Sequence, residues 1–199
     1  GFSKANLNCT IAESLQRFAP VCRAARDGGL FLRGYVSCAL GCPHEGAVAP
    51  ARVAEVAHAL TDLGCEEISL GDTIGVGTPA RARTMIETVA GVVAMESLAA
   101  HFHDTYGQAL ANVLAALEMG IARIDSSVGG LGGCPYAKGA SGNLATEDLV
   151  YMLNGMGIET GVDLERLVAT AFYICDTLGR APDSRVARAL GRREGEDGR

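Results

Sequence analysis

Four histidines occur in the 199-residue sequence, and two of them stand one residue apart in "HFHDTYGQ", His101 and His103. Alternate residues of a strand point to the same side, whereas in a helix they diverge by about 200°. If this stretch ends a strand, both imidazoles converge on one point as a pair of nitrogen donors in want of a third ligand. The segment "SSVGGLGGCPYAKGASGN", residues 126–143, spends six glycines on one loop, which lets backbone approach a ligand closely. It carries a single cysteine, Cys134, and ends in Asn143 ahead of a helix with Glu147 and Asp148 in its first turn. Asn143 is either a third donor or the N-cap of that helix. Cys134 is either a thiol that moves protons or a buried inert one. Asp72, in "SLGDTIGVG", reads as a carboxylate on the inward side of a strand end, with helix capping as the plain alternative. Cys38 and Cys42, in "SCALGC", have no second pair to complete a metal site and read as buried thiols.

These residues need elements to hold them. A helix is expected from about Thr10 to Asp27, followed by the apolar run "FLRGYVSCAL" and a helix from about Pro50 to Leu63. Then come "EEISLGD", a Pro79-led helix to about Ala94, "SLAAHFHD", a helix from Tyr106 to Met119 capped by Asp104 or Thr105, and "IARIDSSVGG". Two last helices are expected around Thr146–Asn154 and Asp163–Leu178. Short apolar strands alternating with helices mean βαβ units and a parallel sheet. In all four units the polar, glycine-rich or histidine-bearing residues follow the strand, a bias that points to chemistry at the C-terminal face of a (β/α) barrel. Such a barrel takes eight units, and the sequence holds four plus a leading helix. The fold class expected is therefore α/β, a TIM (β/α)8-type barrel of which this chain supplies roughly the last four βα units and C-terminal helices. Residues 1–190 form the partial barrel and 191–199 a charged tail. An open flavodoxin-like sheet would need a covered fifth strand that the sequence does not offer.

Bulk properties narrow the partners. The net charge is −6, from 17 basic and 23 acidic residues, with no basic stripe interleaved with aromatics, so nucleic acid is not an expected partner. No apolar run reaches the roughly 18 residues of a membrane span, and the start, "GFSKANLNCT", has no signal-peptide core. Seven scattered cysteines, an odd count without framework spacing, fit a reducing compartment. A bacterial cytoplasm is the expectation, or a mitochondrial matrix if a transit peptide preceded the chain.

The glycine loop resembles the signature of the 3-hydroxy-3-methylglutaryl-CoA lyase family, and "HFHDTYGQ", "SLGDTIGVGTP", "GYVSCALGCPHEG" and "GASGNLATEDLVYML" are similar to that family's other blocks. Isopropylmalate and homocitrate synthases share the His-x-His strand end, but they place a Gly-Glu-Arg element before the terminal Gly-Asn, where this sequence has "GGCPYAKGASGN". The resemblance implies an acyl-CoA substrate and a retro-aldol, Claisen-type cleavage to acetyl-CoA and acetoacetate, as in leucine degradation and ketone-body formation. It implies a divalent cation, Mg²⁺ or Mn²⁺, held by His101, His103 and Asn143. Nitrogen donors would also accept Zn²⁺. It further implies Cys134 and Asp72 as catalytic groups, and Asn6, Tyr35, Ser37, Ser69 and Thr73 along the acyl-CoA pocket. His44 and His58 match nothing catalytic. The family's first strand carries an Arg-Asp pair and its second a glutamate, and neither segment lies among these 199 residues. The chain alone is therefore expected to be inactive, and to pair with the N-terminal half of the barrel, from the same or another chain, within a homo-oligomer. A non-catalytic half-barrel dependent on a partner chain, or a related Claisen-type synthase or aldolase, is the competing reading.

Overall fold

The computed structural model describes residues 1–133 and 142–191. Helix α1 (Phe2–Leu7) leads into α2 (Ile11–Asp27), which opens on a full capping box: the Thr10 side chain accepts from Glu13 N, and the Glu13 carboxylate accepts from Thr10 N. Then follow β1 (Arg33–Val36), α3 (Pro50–Asp62), β2 (Glu67–Asp72), α4 (Pro79–Ala90), β3 (Leu98–Phe102), α5 (Ala109–Glu118) and β4 (Arg123–Asp125). The chain continues through α6 (Thr146–Gly155), α7 (Leu164–Thr177) and α8 (Arg185–Gly191), with short 3-10 turns at Met95–Ser97 and Val128–Gly130.

All four strands are parallel and stand in sequential order β1-β2-β3-β4. That order, with α3, α4 and α5 packed side by side as the crossovers, makes an arc of a (β/α) barrel. A doubly wound sheet would reverse direction at a switch point, and this one does not. The strands alternate by face. Val36, Ile68, Leu70, Leu98, Ala100 and Phe102 turn toward the helices and join Ala57, Leu60, Met85, Ile86 and Val113 in one core. The opposite parity, Arg33, Tyr35, Glu67, Ser69, His101, Arg123 and Asp125, forms a polar inner face, which is why the strands do not read as continuous apolar runs. Lower on that face Glu67 is buried between two arginines, 2.5 Å from Arg33 Nε and 2.8 Å from Arg123 Nε. Among the described residues no helix is long and apolar enough to cross a membrane.

Element ends differ from expectation where backbone geometry intervenes. The first strand stops at Val36 because Cys38 takes φ +60°, with its amide donating to Thr73 Oγ1. Helix α5 starts at Ala109, not Tyr106: Gly107 sits at φ +69°, and Asp104 Oδ1 accepts from Ala109 N across the intervening turn. Asp104 therefore accepts from the first helical amide from five residues upstream, while the N-cap position itself is Gln108. The short α1 and α8 were not legible in the sequence. Helix α8 exists because Asp148, 6% exposed on α6, accepts from Ser184 Oγ and the Val186 amide at the α8 start. The charged tail expected over 191–199 lies outside the described residues from residue 192 on.

Candidate functional site

At the C-terminal rim, β3 delivers His101 and, one step beyond its last residue, His103, both with inner-face parity. The segment Gly142–Ala145 threads through this rim as a short cross-strand. Asp104 N donates to Gly142 O and Leu144 N to Phe102 O, which sets Asn143 opposite His103 in an antiparallel bridge. On its other side Ser127 N donates to Leu144 O and Thr146 N to Ser127 O, tying the same segment to the end of β4. The glycine loop thus ends as a strand that joins the two neighbouring strand ends. Asn143 does not cap α6: the cap position is Ala145, and Asn143 Nδ2 donates to Leu131 O at 3.0 Å.

The two histidines face each other, Nε2 to Nε2 at 3.3 Å. Two nitrogens each about 2.0–2.1 Å from one ion, at angles of roughly 90–110°, stand about 2.8–3.4 Å apart, so the spacing suits a shared cation. His103 is buried, and its Nδ1 has no partner among the described residues. Burial, helped by the neighbouring His101, pushes its imidazole down to about 4, which keeps it neutral and able to donate a lone pair at physiological pH. No third His, Cys, Asp or Glu completes a ligand group among the described residues. The residue that backbone pairing sets beside His103 is Asn143.

Two charged residues that sequence reading passed over hold His101 from behind. Asp125 Oδ2 stands 3.3 Å from His101 Nδ1 and accepts from Ser69 Oγ at 2.8 Å, while Asp125 Oδ1 accepts from Arg33 at 2.7 Å. Burial pushes the Asp125 carboxyl up, but the donors His101, Arg33 and Ser69 outweigh it and hold it at about 2. The signal was available: Arg33 and Asp125 share parity with Tyr35 and Arg123, and a charged side chain on a barrel's inner face needs a reason.

Other sequence candidates divide. Asn6, Tyr35 and Ser37 line an open cavity of about 770 Å³ between α1, α2 and the end of β1. The Tyr35 ring stands edge-on to His101 at 6.4 Å, with the Arg33 guanidinium 4.9 Å from its own centroid, so this cavity adjoins the histidine pair. Ser69 is wholly buried with its hydroxyl on Asp125, and Thr73 accepts from Cys38 N; both brace the rim. Asp72 is corrected in placement. It shares parity with Ile68 and Leu70, so its carboxylate turns to the helix side, fully buried, and accepts from the amides of Val76 and Gly77. Its bonds anchor the β2–α4 loop. Cys134 lies outside the described residues. Cys38 and Cys42 are buried thiols, and His58 is a half-exposed residue of α3 that stands 3.8 Å from Asp62.

The site carries a pH signature. An unfolded histidine titrates near 6.5 and His103 in the fold at about 4, so below pH 6.5 the unfolded state binds the extra proton. Metal-free protein should then lose stability as pH falls from 6.5 to 4, by about 3 kcal/mol at the lower end. Asp72 and Glu147, whose carboxyls burial pushes up, titrate with the opposite sign. The informative quantity is therefore the difference between parent and His103→Gln in urea unfolding at pH 7 and pH 4.5. Equal slopes for the two proteins would remove His103 as the buried neutral group.

Comparison with known proteins places this geometry. Hydroxymethylglutaryl-CoA lyase, mitochondrial, of Mus musculus is 62% identical over 188 residues, covering 94% of this chain and 58% of that protein. The 3-hydroxy-3-methylglutaryl-CoA lyase, cytoplasmic, of Rattus norvegicus is 58% identical over the same share of this chain and 55% of its own. Among solved structures, the crystal structure of hydroxymethylglutaryl-CoA lyase from Pseudomonas aeruginosa superposes with a TM-score of 0.94 at 58% identity, over 96% of this chain and 64% of that one. The chain thus spans about three fifths of the length of the relatives it matches. The HMGL-like family model runs through residues 1–174, across all four strands, both histidines and the rim segment that carries Asn143, and the chain belongs to that family.

Proposed function

We propose that the protein of which this chain forms part cleaves 3-hydroxy-3-methylglutaryl-CoA to acetyl-CoA and acetoacetate with the help of a divalent cation, Mg²⁺ or Mn²⁺. The observation that carries the reading is the convergence of His101, His103 and Asn143 at the C-terminal rim, in a chain about 60% identical to proteins named for that activity. The donor set fits the ion: two imidazole nitrogens, one held neutral by burial, and one amide oxygen, a mixed N/O group suited to a borderline or hard divalent ion. Bound there, such a cation supplies charge that gathers hydroxyl and carboxylate oxygens and lowers the pKa of a tertiary alcohol.

The chain's own residues then divide the labour. The C3 hydroxyl of the substrate must give up its proton. The C2–C3 bond breaks, its electron pair becomes the enolate of acetyl-CoA, and C3 becomes the ketone of acetoacetate. A proton returned to C2 completes acetyl-CoA. Cys134 is our candidate for moving a proton. Asn6, Tyr35 and Ser37 line the approach for the acyl-CoA. Asp72, Ser69 and Thr73 act at one remove, by fixing the loops and strand ends from which the others project. The related structure from Acinetobacter baumannii in complex with coenzyme A and 3-methylmalate, at 38% identity and a TM-score of 0.88, supports a CoA thioester as the substrate class. The first half of the barrel and a homo-oligomeric assembly belong to the same proposal, because β1 and β4 end the described sheet with unpaired edges.

The test is direct. The full-length protein supplied with Mg²⁺ or Mn²⁺ should release acetoacetate and acetyl-CoA in equal amounts, and a chelator should stop it. Unchanged turnover in the chelator, or no acetoacetate with either ion, defeats the proposal.

A further inference from the structure

We infer that Asp125 is a positioning residue for the candidate metal centre: clamped by Arg33 and Ser69, it holds the His101 ring so that Nε2 points at the His103–Asn143 corner. The inference rests on the metal reading above and adds a residue that the ligand set does not contain.

The geometry separates this role from its rivals. The two nitrogens of an imidazole point away from each other across the ring, so a carboxylate against Nδ1 lies on the far side of His101 from His103. Asp125 cannot share one ion with both histidines while it makes that contact. Its oxygens are also occupied, Oδ2 by Ser69 Oγ and His101 Nδ1 and Oδ1 by Arg33. Nor is Asp125 present only to neutralise arginine, since Glu67 already lies between Arg33 and Arg123. What Asp125 adds is an anion facing Nδ1, which fixes the proton there and leaves the Nε2 lone pair free. A ligating histidine typically donates its other N–H in this way, which fixes tautomer and ring orientation. The clamp is assembled from three strands: Arg33 from β1, Ser69 from β2 and Asp125 from β4 surround the ring carried by β3. Three strands thus supply the clamp for the imidazole that the fourth carries.

The experiment uses the full-length protein stripped of metal and titrated with Mn²⁺, free ion being read by electron paramagnetic resonance. Asp125→Asn should weaken Mn²⁺ binding about 10- to 100-fold, with kcat recovering toward the parent's as Mn²⁺ is raised to saturation. Ser69→Ala, which withdraws one donor from the clamp, should cost about two- to tenfold. Mn²⁺ affinity within twofold of the parent for Asp125→Asn overturns the inference, and so does a lowered Tm with unchanged affinity, the mark of a merely structural role. Should Asp125→Asn fail to fold, parent-like affinity in Ser69→Ala overturns it. His103→Ala is the control for the underlying reading. If it binds Mn²⁺ like the parent, the metal centre itself falls and the inference with it. If it loses the ion while Asp125→Asn keeps it, only the positioning role falls.

Discussion

His103→Ala in the full-length protein should lose Mn²⁺ affinity by on the order of 10³-fold or more, and cleavage with it. The magnitude follows from rank: residues that merely orient a ligand are worth about 10- to 100-fold in affinity, and removing a ligand itself takes more. The variant should nonetheless fold. The ring is buried with one nitrogen unpartnered, so the metal-free fold carries a desolvated polar group there, and its removal offsets part of the packing lost. Loss of the ion with a nearly unchanged Tm is therefore the expected pair of results, read by calorimetry and ion titration on one preparation. A protein that keeps the ion, or that loses it only because it has unfolded, would contradict the assignment of His103 as a ligand.

Much of this was legible in the sequence, for a simple reason. Strand period and inner-face parity are local, and His-x-His at a strand end carries its geometry with it. The same rule, applied consistently, would also have corrected Asp72. If Ser69 faces inward then Gly71 does too, and Asp72 faces the helices, where it binds the Val76 and Gly77 amides. Asp125 was hidden by brevity, since a three-residue strand shows little alternation. Its importance depends on partners 92 and 56 residues away, Arg33 and Ser69. Helix α8 was hidden for a similar reason, because its cap is a carboxylate 38 residues upstream of the Val186 amide. Asn143 could be narrowed to two roles but not resolved, because a favoured N-cap type just ahead of a helix looks the same in sequence whether or not the helix begins on it. Backbone pairing across the rim excludes the cap, which falls on Ala145, and pairing between distant segments leaves no mark on local composition.

That pairing can be broken by a single methyl group. Gly142 sits at φ +92°, a region other residues enter only with strain, and a Cβ built there would lie 1.8 Å from the carbonyl oxygen of Gly132 and 3.0 Å from that of Gly130. Both obstacles are backbone, so no side chain can swing aside. Gly142→Ala must push the two ends of the glycine loop apart. The first bonds at risk are Asp104 N to Gly142 O, one of the two that set Asn143 opposite His103, and Asn143 Nδ2 to Leu131 O, which holds the Asn143 side chain. Left-handed strain costs about 1–3 kcal/mol, and with the lost pairing the variant should be destabilised by about 2–4 kcal/mol. The functional loss should be larger, because a displacement of about 1 Å at a positioned group costs about 100-fold in rate. We therefore expect kcat/KM to fall at least about 100-fold, with weakened Mn²⁺ binding. Gly155→Ala is the matched control. That glycine ends α6 with open space around its missing side chain, and alanine is the better helix former by up to about 1 kcal/mol, so the control should melt no lower than the parent and turn over normally. Parent-like kcat/KM in Gly142→Ala would mean that Asn143 reaches its place without the clasp, and that the short rim strand does not build the site.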